Sequence, residues 1–219
     1  MNIKASYSYS HDVGNYFNSI YRFSWQKYGR ENIEDKLRAK LPKNFIKALM
    51  TTNDSGKAKE LIKDYLKERY QEYFVKYDKK AKELESVWKK RSKGVLNLLS
   101  ETYGKPIPFK SVNVYLSSLP ICPYRYPEWI IVYGNSNTET QLKILLHELN
   151  HFMFYYYFGN LKEQIGNEKF ESLKEALTVL TNPEEKGYPS QKRLRSWLKK
   201  NNKESVSDII ERGEWRHYL

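Results

Sequence analysis

A helical hydrophobic period persists from Lys59 to about Leu99 with no proline to interrupt it, and few folds accommodate so long a helical signal. Leu61, Tyr65, Leu66, Tyr73, Tyr77, Leu84, Trp88, Val95 and Leu98 recur at spacings that line one side of a helix. The stretch predicts one long helix, or two broken near Tyr77–Lys80 or at Gly94. Its interleaved lysines and tyrosines fit a solvated face beside a core stripe better than a track for a polyanion.

The residues before it also read as helical. Phe17, Ile20, Tyr21, Phe23, Trp25 and Tyr28 define a helix over Tyr16–Tyr28 with Gly29 as its stop, Glu34–Leu41 forms a short helix closed by Pro42, and Phe45–Met50 forms another. Asn53–Gly56 is a turn that supplies an N-cap. After Gly104 and the prolines at 106 and 108 the texture changes. Val112–Leu116 and Trp129–Tyr133 read as strands around a Pro-rich loop. Thr138 or Thr140 then caps a helix running to about Tyr157, with Gly159 beyond it. Helices over about Asn167–Leu180, Gln191–Lys199 and Val206–Arg212 complete the chain.

Composition narrows the setting. The 219 residues carry 38 Lys and Arg against 26 Asp and Glu, a formal charge of +12. Nucleic acid is the electrostatic alternative to a generic basic surface, but the charge is dispersed rather than gathered into a footprint. A single cysteine, Cys122, excludes an intrachain disulfide. The N-terminus lacks the apolar core of a signal peptide and no apolar run reaches membrane-spanning length, so a cytoplasmic protein is expected.

Residues 147–151 read His-Glu-Leu-Asn-His, an H-E-x-x-H motif. On a helix, residues four apart stand one above the other, so His147 and His151 converge on one metal ion and Glu148 lies beside it. The helix passes an independent test. At about 100° per residue, Leu142, Leu145, Leu146, Leu149, Phe152, Met153 and Tyr156 fall in one stripe, with the histidines and Glu148 outside it. A third ligand is still needed. Position 157 is Tyr157, which excludes the extended three-histidine motif, and His11 and His217 lie in the termini. Glu171 and Glu175, four apart on the next helix and opposite its apolar side of Phe170, Leu173, Leu177 and Leu180, are better placed.

With these two elements, residues from about 110 to 182 resemble the gluzincin clan of zinc metallopeptidases, including its minimal single-domain members. The clan pairs H-E-x-x-H with a zinc-binding Glu on a following helix, and Lys174-Glu175-Ala176-Leu177-Thr178 matches the usual surroundings of that Glu. The resemblance implies Zn²⁺ held by His147, His151 and Glu175, with Glu148 as general base. Glu171 is the alternative ligand, which would leave Glu175 hydrogen-bonded to a ligand histidine. It also implies a peptide or protein substrate, an oxyanion donor for which Tyr155 is the first candidate and Tyr188 and His217 others, and a sheet edge for the substrate at Trp129–Tyr133 or Val112–Leu116. The expected fold is α+β and mostly helical: a helical N-terminal region (1–103), then a zincin-like catalytic region (104–219) with a small sheet, the active-site helix and the glutamate helix. The N-terminal region shares no such resemblance.

The competing functions are a basic nucleic-acid-associated protein with a regulatory zinc site and a partner-binding helical module with a structural one. For Cys122 an inert thiol is expected over a metal-blocking switch. For the tail Glu214–Leu219, packing is expected over an autoinhibitory plug.

Overall fold

The computed structural model describes residues 1–22, Leu37 and 40–219, and the chain is α+β and mostly helical, as expected. The described residues form two compact units, neither of them one continuous stretch. One comprises Ile3–Val87 and Asn113–Gln141; the other comprises Met1–Asn2, Trp88–Val112 and Leu142–Leu219.

The first unit carries a four-stranded mixed sheet of β1 (Asn2–Tyr7), β2 (Ser111–Ser117), β3 (Tyr124–Arg125) and β4 (Trp129–Tyr133), in the spatial order β1-β2-β4-β3. β2 and β4 are parallel, with Val114 opposite Ile130 and Leu116 opposite Val132, and β3 runs antiparallel to β4. Val112 and Val114 are buried and alternate with exposed Ser111 and Asn113, the period-2 pattern that made β2 legible, while its end at Leu116 and Ser117 is buried throughout. In β4, Ile130, Ile131 and Val132 are all buried, as an interior strand requires. Both expected strands have neighbours on two sides, but the β3 register covers only Trp129 and Ile130 of β4. The edges are the two-residue β3 and β1, which covers β2 and whose weak alternation, with only Ile3 and Tyr7 buried at its apolar positions, gave no clear strand signal.

Helix α1 (Tyr9–Tyr16) follows β1 and is capped by Ser8, and a π-helical turn occupies Phe17–Arg22. The expected helix over Tyr16–Tyr28 is met as far as Arg22; its remainder, and Glu34–Leu41 apart from Leu37, Lys40 and Leu41, lie outside the described residues. Helices α2 (Lys43–Thr51) and α3 (Ser55–Lys67) come next, the latter capped by Asp54, whose carboxylate accepts from the N–H groups of Gly56 and Lys57. Tyr16, Phe17, Ile20, Ile46, Leu49, Ala58, Ile62 and Leu66 pack together with Leu119 as the core. Asp12, 1% exposed, is held beside it by the hydroxyls of Ser117, Ser118 and Tyr7, and burial pushes its pKa up against the pull of those bonds.

Helix α4 (Tyr70–Tyr103) is unbroken at Tyr77–Lys80 and at Gly94; the interruption falls earlier, at Glu68–Arg69. No glycine or proline marks it. The Arg69 guanidinium donates to the Tyr65 carbonyl at 2.9 Å and lies 4.0 Å over the Tyr65 ring, so a side chain satisfies the backbone acceptor at the end of α3. Gly94 is exposed inside α4, and a β-carbon there meets nothing within 4 Å. Gly94→Ala is therefore expected to stabilise the protein by about 0.5–1 kcal/mol, because it restricts only the unfolded chain. A denaturant midpoint that fails to rise would contradict this.

The second unit contains most of α5 (Thr138–Phe158), then α6 (Leu161–Ile165), α7 (Asn167–Leu177), a 3-10 turn (Thr178–Leu180), another at Pro189–Gln191, α8 (Lys192–Lys200), α9 (Val206–Arg212) and a terminal 3-10 turn (Glu214–Tyr218). The cap of α5 is Asn137, whose side chain accepts from the Thr140 N–H at 2.8 Å, rather than either threonine. Trp215 is fully buried, its indole N–H reaches the Ile210 carbonyl, and Tyr218 stacks on Trp197. The tail thus packs on α8 and α9. Among the described residues, no helix is long and apolar enough to cross a membrane.

Candidate metal centre

Helix α5 is held rigidly before it presents any functional group. Leu142, Leu145, Leu149, Phe152 and Met153 are buried along the anticipated stripe, and Phe154 is buried as well. Asn150, wholly buried, accepts from the Tyr103 hydroxyl at 2.6 Å and donates to Thr181 Oγ1 at 2.8 Å, so its amide is matched without water. A helix fixed on this many sides sets its remaining face accurately.

That face carries His147 and His151, whose rings meet edge to face with centroids 4.5 Å apart. Helix α7 brings Glu175 to both: Oε2 lies 3.7 Å from His147 Nε2, and Oε1 lies 3.5 Å from His151 Nε2. One donor atom from each of the three residues falls within 4.8 Å of the others, a cluster able to hold a metal ion. Glu148 is 6% exposed, and its Oε2 lies 4.0 Å from His151 Nε2, beside the cluster rather than part of it.

Glu171 takes a different place. It accepts from the Tyr155 hydroxyl at 2.7 Å and pairs with the Lys174 ammonium at 2.8 Å. The hydroxyl proposed as an oxyanion donor is thus engaged by Glu171. Tyr188 is exposed on the loop before α8, and His217 is exposed on the terminal turn. His11 and Cys122 belong to the sheet-bearing unit, where His11 stacks on Tyr115 and both residues line a cleft of about 520 Å³.

Three residues of the centre were not anticipated. Glu185, on the loop after Asn182-Pro183, approaches His147 Nδ1 at 3.2 Å and so fixes the ring nitrogen that faces away from Glu175. Lys174 is 1% exposed and lies 3.4 Å from Glu175 Oε1. Arg195, 4% exposed, donates to the Glu175 carbonyl at 3.0 Å, to Thr178 Oγ1 at 3.2 Å and to the Glu185 carbonyl at 2.8 Å. It therefore joins the end of α7 to the Glu185 loop. Gly187 lets that loop lie against the guanidinium: its φ is +63°, and a β-carbon would come within 2.6 Å of Arg195 Cδ and Nε. With both imidazoles neutral, as ligation requires, the four carboxylates of Glu148, Glu171, Glu175 and Glu185 outnumber the cations of Lys174 and Arg195 by two, the charge a divalent ion would balance.

The electrostatics separate the two imidazoles. Burial disfavours the charged form of His147, but the Glu185 hydrogen bond and the charges of Glu148, Glu185 and Glu175 outweigh it and raise its pKa to about 8. Burial dominates at His151 and lowers its pKa to about 4, leaving it neutral. Glu175 stays ionised: burial opposes this, but His151, Lys174 and His147 hold it well below the carboxylate range.

A raised folded pKa at His147 contributes stability in the metal-free protein that is complete below the unfolded value of 6.5 and lost as pH rises through about 8. The shift corresponds to roughly 2 kcal/mol. A lowered folded pKa at His151 acts in the opposite window, removing stability as pH falls from 6.5 towards about 4. Metal-free protein is thus expected to be most stable near pH 6.5, and denaturation midpoints that climb steadily from pH 6.5 to 8 would contradict the assignment.

No family model matches the chain, and neither a curated protein nor a solved structure matches it.

Proposed function

We propose that the protein is a zinc-dependent peptidase in which His147, His151 and Glu175 hold the metal and Glu148 is the general base. The observation that carries the reading is the convergence of the Glu175 carboxylate, from a separate helix, to 3.5 and 3.7 Å from the two imidazole Nε2 atoms. Zinc bonds of about 2.0–2.2 Å in a tetrahedron put ligand atoms roughly 3.3 Å apart; each imidazole lies near that distance from one Glu175 oxygen, and the three donor atoms, within 4.8 Å of one another, would close slightly on the ion. Two nitrogens and one oxygen also match the composition of catalytic zinc sites, which leave a fourth position for water.

Bound zinc supplies Lewis acidity, lowering the pKa of a water molecule and polarising a carbonyl. Glu148, beside the cluster, would serve as the base that takes a proton from an attacking water and returns it to the departing amine. Glu185 holds the His147 ring through Nδ1, leaving Nε2 for the metal.

The test is direct. The purified protein should carry about one equivalent of zinc, hydrolyse peptides, stop on treatment with a chelator and recover when zinc is restored. A protein that acquires no transition metal would end the proposal. Because His147 must be neutral to ligate, zinc uptake at pH 7 should release about one proton, and affinity should fall as pH drops below about 8. Calorimetry in buffers of different ionisation enthalpy measures that release, and none would contradict the assignment.

A further inference from the structure

We propose that Lys174 is a positioning residue of the metal centre: its buried ammonium holds the Glu175 carboxylate in its ligating orientation, while Glu171, itself fixed by Tyr155, holds the ammonium. The inference rests on reading His147, His151 and Glu175 as the metal ligands.

A Glu and Lys three apart on a helix ordinarily form an exposed pair of little consequence. Here the lysine side chain is 1% exposed, and an ammonium so thoroughly removed from water is costly unless each of its contacts is arranged to compensate. The contacts are specific. Nζ lies 2.8 Å from Glu171 Oε2, 3.4 Å from Glu175 Oε1 and 5.5 Å from the centroid of the Tyr155 ring. The Tyr155 hydroxyl donates to the other Glu171 oxygen at 2.7 Å, so the carboxylate that anchors the lysine is held at both oxygens.

Glu175 gains a defined orientation from this arrangement. A glutamate side chain has three rotatable bonds, and ordering it costs on the order of 1.5–2 kcal/mol at the moment of binding unless it is ordered beforehand. Arg195 fixes its backbone carbonyl, and Lys174 fixes the Oε1 end of its carboxylate, with Oε2 turned towards His147 Nε2. The centre is thus organised before any metal arrives.

Removing Lys174 alone would confuse two effects, because it also strips a positive charge from beside a cation site and leaves Glu171 uncompensated. The double variant K174M/E171Q removes a net-neutral pair and keeps an acceptor for Tyr155, so the long-range electrostatics nearly cancel and the loss of positioning remains. The measurements are the zinc dissociation constant, by competition with a chromophoric chelator, and the denaturant midpoint of the metal-free protein, for wild type, K174M and K174M/E171Q.

The expected result is a midpoint lowered in K174M and close to wild type in the double variant, with zinc affinity still weakened about 10–100-fold in the double variant. If Lys174 served only to neutralise Glu171, the double variant would recover both properties, and zinc binding within about threefold of wild type would overturn the proposal. Should the double variant not fold, Tyr155→Phe, which keeps both charges and removes only the hydroxyl on Glu171, is expected to weaken zinc binding about tenfold. An unchanged dissociation constant in that variant would overturn the proposal equally. A wild-type protein that binds no zinc would overturn it together with the function it rests on.

Discussion

Glu148→Gln is expected to lower kcat/KM for peptide hydrolysis by about 10²–10⁴-fold while the bound zinc stays near one equivalent. The side chain lies next to the cluster of His147, His151 and Glu175, which is able to hold a metal ion, with Oε2 4.0 Å from His151 Nε2. Glutamine has the same shape and keeps an acceptor oxygen, but it cannot take a proton from water at neutral pH. The loss should therefore fall on kcat, with KM little changed, because substrate binding does not require the carboxylate to be basic. The same variant separates the competing functions. Nucleic-acid binding by the basic surface would survive it and would weaken steeply with salt, and a purely structural metal would be indifferent to it. Activity retained within about tenfold of wild type would rule Glu148 out as the general base.

Where the apolar pattern was strong, the sequence was sufficient to place the elements. The β4 run Trp129–Tyr133 and the helix Val206–Arg212 have the boundaries their patterns imply, and the Asn53–Gly56 turn does provide the Asp54 cap. What escaped was structure made by side chains reaching the backbone. The break at Glu68–Arg69 depends on a guanidinium folding back onto Tyr65, which residue type alone does not announce. The strand Asn2–Tyr7 takes its identity from its neighbour β2, since two buried apolar positions in six residues is too weak an alternation to specify a strand.

The centre divides in the same way. His147, Glu148 and His151 were legible because one helical turn fixes their spacing, and Glu175 because it shares a face with Glu171 on the next helix. The choice between the two glutamates lay beyond periodicity: Glu175 reaches the histidines, whereas Glu171 meets Tyr155 and Lys174. Lys174 sits beside Leu173, which is fully buried, and a charged residue at such a boundary reads as solvent-facing until its partners are known. Glu185 and Arg195 meet across a loop that has no period at all, so only the folded chain relates them to the histidines.

Arg195→Met should produce the largest loss of stability, about 3–5 kcal/mol, the usual consequence of breaking a buried charge network by removing one member. Its side chain is 5% exposed, so solvent screening offers little relief. It donates to three acceptors, the carbonyls of Glu175 and Glu185 and the hydroxyl of Thr178, although the Glu175 carbonyl also accepts from Thr178 Oγ1. Methionine fills much of the same volume, so the cost comes from those acceptors and from the Glu185 carboxylate, 3.9 Å from the guanidinium, rather than from a cavity. The damage should also reach the metal. With the Glu185 loop released, His147 loses the carboxylate at Nδ1 that fixes its ring, and zinc affinity should fall about 10–100-fold. Glu185→Ala isolates that second effect, since it removes the carboxylate at His147 Nδ1 while the carbonyl held by Arg195 is untouched; it should cost less stability than Arg195→Met. Denaturant midpoints and zinc titrations on the two variants decide the matter. If Arg195→Met unfolds within about 1 kcal/mol of wild type, the guanidinium does not join α7 to the loop in solution.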